Sequence, residues 1–163
     1  MSMASRLVNI CGTTIKESLF AENEYDSETN TIGLNSLNDT LVGRWVKRGT
    51  RRPASTNYSL YHELGHAVFD FCNIKNNSLA IKLFGSFRKK YNGRRMLLDS
   101  VLDEVSDGYI TAYAQQHPEE DFADCFAFIL VEKNRIPKSI KNRKLKDKLV
   151  FVKKIICSML QEG

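Results

Sequence analysis

The chain has 163 residues and a net charge of +5. That length can bury one hydrophobic core without disulfides or a structural metal, so residues 1–163 are expected to form a single domain. With 42% hydrophobic and 26% charged residues, the composition is that of a soluble globular protein, and the positive balance is too small to imply a nucleic-acid partner.

Cys11, Cys72, Cys125 and Cys157 are too scattered for a disulfide or CxxC zinc framework, so free thiols in a reducing compartment are expected. No apolar stretch approaches 18 residues and no signal-peptide pattern opens the chain. These features suit a cytoplasmic protein, or one translocated into a target cell by a dedicated secretion system. No membrane partner is expected, and a monomer is.

Along the chain, Leu7, Val8 and Ile10 suggest a short strand or helix ending at Gly12, and Thr14 to Phe20 a helical turn. Residues 21–30 are acidic and polar and read as a loop. Residues 31–35 alternate apolar and polar side chains, as a short strand does, and Leu41 to Val46 is a second candidate strand. A basic loop over 47–52 stops at Pro53.

Ser55 or Thr56 then offers an N-cap for a helix reaching about Asn73. Leu60, Leu64, Ala67, Val68 and Phe71 recur at helical spacing as its buried stripe, with His62, His66 and Phe69 on a different face. Residues 79–87 are mixed, and Asn92-Gly93 marks a turn within a basic stretch. Met96 to Tyr113 looks mostly helical, with a break at Gly108.

Pro118 opens the next helix, and Glu119, Glu120 and Asp121 sit at its positive end. It runs to about Glu132 and buries Phe122, Phe126, Ile129 and Leu130. After Pro137 a last helix over about 138–161 carries Leu145, Leu149, Val152, Ile156 and Met159 on one face and lysines on the other. Those lysines read as a solvated face. Cys72 and Cys125 read as small core residues, and His117 as a surface or loop residue.

The informative motif is His62-Glu63-Leu64-Gly65-His66, an HExxH pattern. Histidines four apart share a helix face and can grip one zinc ion, and the glutamate between them is placed to deprotonate a water there. A catalytic zinc takes a third protein ligand and leaves one position open. Metzincins place glycine three and histidine six residues past the second histidine. Phe69 and Cys72 stand there instead, which excludes that class. The remaining source is a carboxylate on the later helix, where Glu120 and Asp124 share a face and Glu119 is out of phase with Asp124. Ala123 and Ala127 are small enough to let that helix approach the metal helix closely.

HELGH, then Tyr113-Ala114, five residues, and Glu120-Asp121-Phe122-Ala123-Asp124 resembles the anthrax lethal factor–like zinc peptidases, whose catalytic domain the secreted Pro-Pro endopeptidases share. The resemblance spans roughly residues 58–131. It implies an α/β (more narrowly α+β) zincin-like fold, with a small twisted sheet on the metal helix and the Glu120 helix closing the site from the other side. It implies one zinc ion held by His62, His66 and Glu120, Glu63 as general base, Tyr113 as oxyanion donor, and Asp124 supporting a zinc histidine. The strand at Ile32–Leu34 would line the cleft for a protein or peptide substrate. The implied activity is that of an endopeptidase, with a toxin or effector role. Regulatory peptidases that cleave repressors also carry HELGH and a Glu-x-x-Ala-Asp-type helix, but usually lack a tyrosine seven residues before the glutamate. A non-catalytic zincin-fold binding protein would have no reason to hold Glu63 and Tyr113.

Overall fold

The computed structural model describes residues 2–17, 24–34, 57–86, 108–111, 113–115 and 117–162. Among these residues, five helices and a three-stranded sheet make an α+β architecture. The candidate strand at 41–46, the basic loop at 47–52, the candidate caps Ser55 and Thr56, the turn at 92–93 and the whole of the segment 96–107 lie outside the described residues.

Helix α1 (Met3–Cys11) is capped by the Ser2 hydroxyl, which accepts the Ser5 N–H. It ends at Gly12 with φ +64°, where the Thr13 N–H reaches back to the Val8 carbonyl. A left-handed residue at that point is the usual way to satisfy a helix's last carbonyls, and glycine adopts it without strain.

The residues after Gly12 form a strand rather than the expected helical turn. Strand β1 (Thr14–Glu17) pairs parallel with β3 (Thr31–Leu34), Ile15 opposite Ile32. The acidic stretch read as a loop contains β2 (Glu24–Asp26), antiparallel to β3 with Tyr25 opposite Ile32. Asp26 accepts the Glu28 N–H and the Thr29 hydroxyl, turning the chain between β2 and β3. Asn30, at φ +49°, gives its amide N–H to the Cys11 carbonyl and accepts from Thr13 and Tyr25, joining α1 to the hairpin. The sheet order is β1-β3-β2. Among the described residues β3 is therefore the middle strand, with β1 and β2 at the edges.

Helix α2 (Tyr58–Phe71) carries the HExxH motif, with Asn57 at its N-cap position and Cys72 at its C-cap. Sheet strands β2 and β3 and helix α1 touch one side of it, and α4 (Pro118–Val131) covers another. Two assignments of its faces need correction. Phe69 is buried and packs edge-on against Phe122 of α4, ring centroids 5.6 Å apart, whereas Phe71 is 54% exposed. An amphipathic stripe describes a helix with one buried side; α2 is covered on two, and its last turn runs past its cover.

A short 3-10 turn and α3 (Ser78–Phe84) follow, the latter capped by the Asn77 side chain. Gly108 has φ +96°, and residues 109–111 are not helical; a 3-10 turn at Tyr113–Gln115 leads into α4. The helix expected to reach Tyr113 thus does not include residues 108–111.

Helix α4 is buried from Asp121 to Leu130, including Phe122, Phe126, Ile129 and Leu130, and is the central helix of the core. Helix α5 (Arg143–Glu162) starts later than expected because Asn142 accepts the Leu145 N–H and caps it there. Leu145, Leu149, Val152, Ile156 and Met159 are buried as expected. Lys148 is not part of the solvated lysine face. It is buried, 2.5 Å from Asp121 and 2.9 Å from the Gly108 carbonyl, with its ammonium 4.1 Å from the Tyr109 ring centroid. No helix among the described residues is long and apolar enough to cross a membrane.

Candidate metal centre

The first half of the site is local. One helical turn separates His62 from His66, so both imidazoles leave α2 on the side facing α4. Between them Gly65 sets how closely that helix can come. A Cβ there would lie 2.9 Å from the Ala123 Cα and 3.2 Å from the Ala123 carbonyl oxygen. Both obstructing atoms are backbone, so a larger residue would have to push α4 away. The HELGH glycine and the small Ala123 are two sides of one close helix contact.

That contact delivers Glu120. Its Oε2 lies 3.0 Å from His62 Nε2 and 3.4 Å from His66 Nε2, and the two Nε2 atoms are 3.2 Å apart. Two nitrogens and a carboxylate oxygen thus form a nearly equilateral triangle. Ligands of a tetrahedral zinc at about 2.0–2.1 Å stand roughly 3.3–3.4 Å from one another. The triangle fits that ion in both size and donor chemistry, and among the described residues it is the one cluster of at least three His, Cys, Asp or Glu able to hold a metal. Glu119, the neighbouring acid, is turned outward and 39% exposed, 3.9 Å from the His117 ring.

Asp124 is one turn beyond Glu120 and buried. Its Oδ1 lies 2.9 Å from His62 Nδ1. An ionised carboxylate can only accept, so Nδ1 carries a proton toward Asp124, and in the metal-free site Nε2 likewise donates to the Glu120 carboxylate, the proton that a zinc would replace. Asp124 Oδ2 accepts the Thr111 hydroxyl, and its backbone carbonyl accepts the Tyr58 hydroxyl at 3.2 Å. Neither Thr111 nor Tyr58 is visible as a site residue in the sequence, because nothing in their spacing ties them to Asp124.

Charge in the cluster is arranged against burial. Burial would lower the His62 pKa, but hydrogen bonds from the ring to the Asp124 and Glu120 carboxylates outweigh it and hold the imidazole well above 6.5. Burial would likewise raise Glu120, and the two imidazoles instead hold it well below the usual carboxylate range. Glu63 is buried, and burial raises its pKa while the imidazoles of His62 and His66 oppose the rise. A backbone hydrogen bond from Tyr25 of the edge strand also acts on that carboxyl. Tyr113 is 41% exposed, its ring centroid 6.1 Å from that of His62.

All six sequence-derived candidates, His62, Glu63, His66, Tyr113, Glu120 and Asp124, therefore gather around one point. His117 takes a different position: it is the N-cap of α4, where its Nδ1 accepts the Glu119 N–H at 3.3 Å. The burial of Cys125 agrees with its reading as a small core residue, whereas Cys72 is only partly buried.

No curated protein and no solved structure matches the chain. Residues 59–151 match the model of a family described as "Putative zinc-binding metallo-peptidase". That span contains both imidazoles, Glu120 and the Asp121–Lys148 pair. With more than half of its residues matched, the chain belongs to this family of zinc-binding metallo-peptidases.

Proposed function

We propose that this protein is a zinc endopeptidase of the lethal factor–like kind, with a zincin-like fold, that hydrolyses peptide bonds in a protein substrate. The observation that carries the proposal is the triangle of His62 Nε2, His66 Nε2 and Glu120 Oε2, with sides of 3.0, 3.2 and 3.4 Å, beside a buried Glu63. In this reading those three residues hold the zinc, which when bound supplies Lewis acidity for carbonyl polarisation and water activation.

The chain's own residues do the rest. Glu63 takes a proton from the attacking water and passes it to the leaving amine. Its burial favours a carboxyl basic enough to do both. Asp124 holds His62 in one tautomer and one ring orientation. The Tyr113 hydroxyl donates to the oxyanion that develops on the peptide carbonyl, a contribution of about 3 kcal/mol for one such donor. Its partial exposure and its ring's nearness to His62 suit a group that meets substrate. The same tyrosine, seven residues before Glu120, favours this reading over a repressor-cleaving regulatory peptidase, and a toxin or effector role goes with it as part of the resemblance.

The test is digestion of a peptide library by the zinc-loaded protein, with Glu63→Gln as control. Cleavage with a defined residue preference, absent from the zinc-loaded control, is expected. Equal cleavage by the control would remove Glu63 from the mechanism, and no cleavage by the zinc-loaded wild type would remove the peptidase assignment.

A further inference from the structure

We propose that Thr111 is a positioning residue that couples the Tyr113 turn to the His62–Asp124 pair and fixes the direction of the hydrogen bonds reaching the metal-holding imidazole. The inference rests on the zinc-peptidase reading above and concerns a residue that reading does not use.

Thr111 is buried, and its Oγ1 makes two contacts. It accepts the Ala114 backbone N–H at 3.1 Å, and it faces Asp124 Oδ2. A backbone N–H can only donate, so the threonine oxygen must accept there, and its single proton is left for Asp124. Asp124 is thereby kept as an acceptor on Oδ2, and its Oδ1 is free to accept from His62 Nδ1. The result is a chain of fixed directions that converges on Asp124: Ala114 N–H to Thr111, Thr111 O–H to Asp124, and His62 Nδ1–H to Asp124. It fixes the ring so that His62 Nε2 faces Glu120 and His66 and becomes a ligand once zinc displaces its proton.

The same hydroxyl ties down the turn that displays Tyr113. Ala114 directly follows Tyr113 in the 3-10 turn, so the bond to Thr111 ties that turn, through the hydroxyl, to Asp124. Without it, Asp124 would keep His62 but lose the partner that orients its second oxygen, and the Tyr113 turn would lose one hydrogen-bonded link to Asp124. Groups that orient a ligating histidine through its carboxylate typically change metal affinity by about 10- to 100-fold when removed.

The test compares Thr111→Val, which keeps the shape and loses the hydroxyl, with Thr111→Ser, which keeps the hydroxyl. Thr111→Ala is a less crowded alternative should the valine protein fail to fold. Zinc affinity is read by competition with a chromogenic chelator, and kcat and KM on a peptide cleaved by the wild type. Thr111→Val is expected to lose about 10- to 100-fold in zinc affinity. At saturating zinc it should lower kcat with KM unchanged and add little to the effect of Tyr113→Phe. Thr111→Ser should restore both quantities to within about threefold, a rescue that a purely packing role, served as well by valine, would not produce. Zinc affinity and kcat in Thr111→Val equal to wild type would overturn the inference alone. Loss of zinc affinity in Thr111→Val, with no peptide cleaved by the wild type, would support the hydrogen-bond chain while the peptidase reading fell. A wild type that binds no zinc would overturn both.

Discussion

Two carboxyls adjacent in the sequence, Glu120 and Asp121, have opposite destinations. Glu120 points from α4 toward α2 and meets two imidazoles; Asp121 points toward α5 and meets Lys148. Both are largely removed from water, yet burial wins in one case and charge in the other. The imidazoles hold the Glu120 carboxyl well below its usual range, while burial lifts Asp121 to about 7 despite Lys148 beside it. One helix thus carries an electrostatic face built to be open to a ligand and another sealed inside the core. The difference is what fills the remaining coordination. Around Glu120 two imidazoles and a carboxylate converge, and the positive charge that His62 carries there is a proton that a metal can displace. Around Asp121 the cation is a side chain, and the Gly108 carbonyl and the Tyr109 ring complete its surroundings.

If that contrast is sound, disturbing the two faces must give different failures. The largest expected effect is on the open face: Glu63→Gln should lower kcat by about 10²- to 10⁴-fold while zinc content stays at one per chain, measured by peptide hydrolysis and metal analysis. On the sealed face, Lys148→Ala leaves Asp121 buried without its cation and should cost about 3–5 kcal/mol in chemical denaturation. The folded fraction should still bind zinc to within a few-fold. Loss of zinc binding in well-folded Lys148→Ala would show the two faces to be one network.

Between the faces lies the contact that sets their spacing. Gly65→Ala should destabilise the protein by about 1–3 kcal/mol through overpacking, against a gain of up to about 1 kcal/mol in helix propensity, and should also weaken zinc binding as Glu120 moves off the imidazoles. Unchanged zinc affinity in that variant would mean the helix spacing is not what holds the triangle. Asp124→Asn should cost about 10- to 100-fold in zinc affinity, and about 1–3 kcal/mol in unfolding free energy because its buried NH2 would face a donor, His62 Nδ1–H or the Thr111 hydroxyl.

The smallest test is by pH. The carboxylates keep His62 protonated to well above 6.5 in the metal-free protein, and zinc must displace that proton. Affinity should therefore already be declining as pH falls toward 6.5 and should continue to fall below it, with protons released on zinc binding; a flat profile across that range would contradict the protonated His62.

How much of this was legible in the sequence follows from how local each feature is. The two histidines and Glu63 are fixed by helical spacing alone, and the Tyr113–Glu120–Asp124 spacing marked the second half of the cluster. Gly65 stood in plain view in HELGH, but its reason, the Ala123 backbone 2.9 Å away, exists only once two helices meet. Strands β1 and β2 were missed because segments of four and three residues, all but Tyr25 exposed, carry too little alternation to be read. Phe69 and Phe71 exchanged places because a single-stripe reading cannot represent a helix covered on two sides. Lys148 hid among lysines, and Thr111 lies thirteen residues before the aspartate it serves. Both make contacts that no periodicity encodes.

The most direct test of the central claim is zinc X-ray absorption on the protein loaded with one equivalent of metal. Two imidazoles and a carboxylate predict a shell of nitrogen and oxygen only, at about 2.0–2.1 Å, with imidazole scattering from two histidines, one of which disappears in His62→Ala. A sulfur contribution at about 2.3 Å, or zinc that washes out below one equivalent per chain, would contradict the assignment of His62, His66 and Glu120 as the metal site.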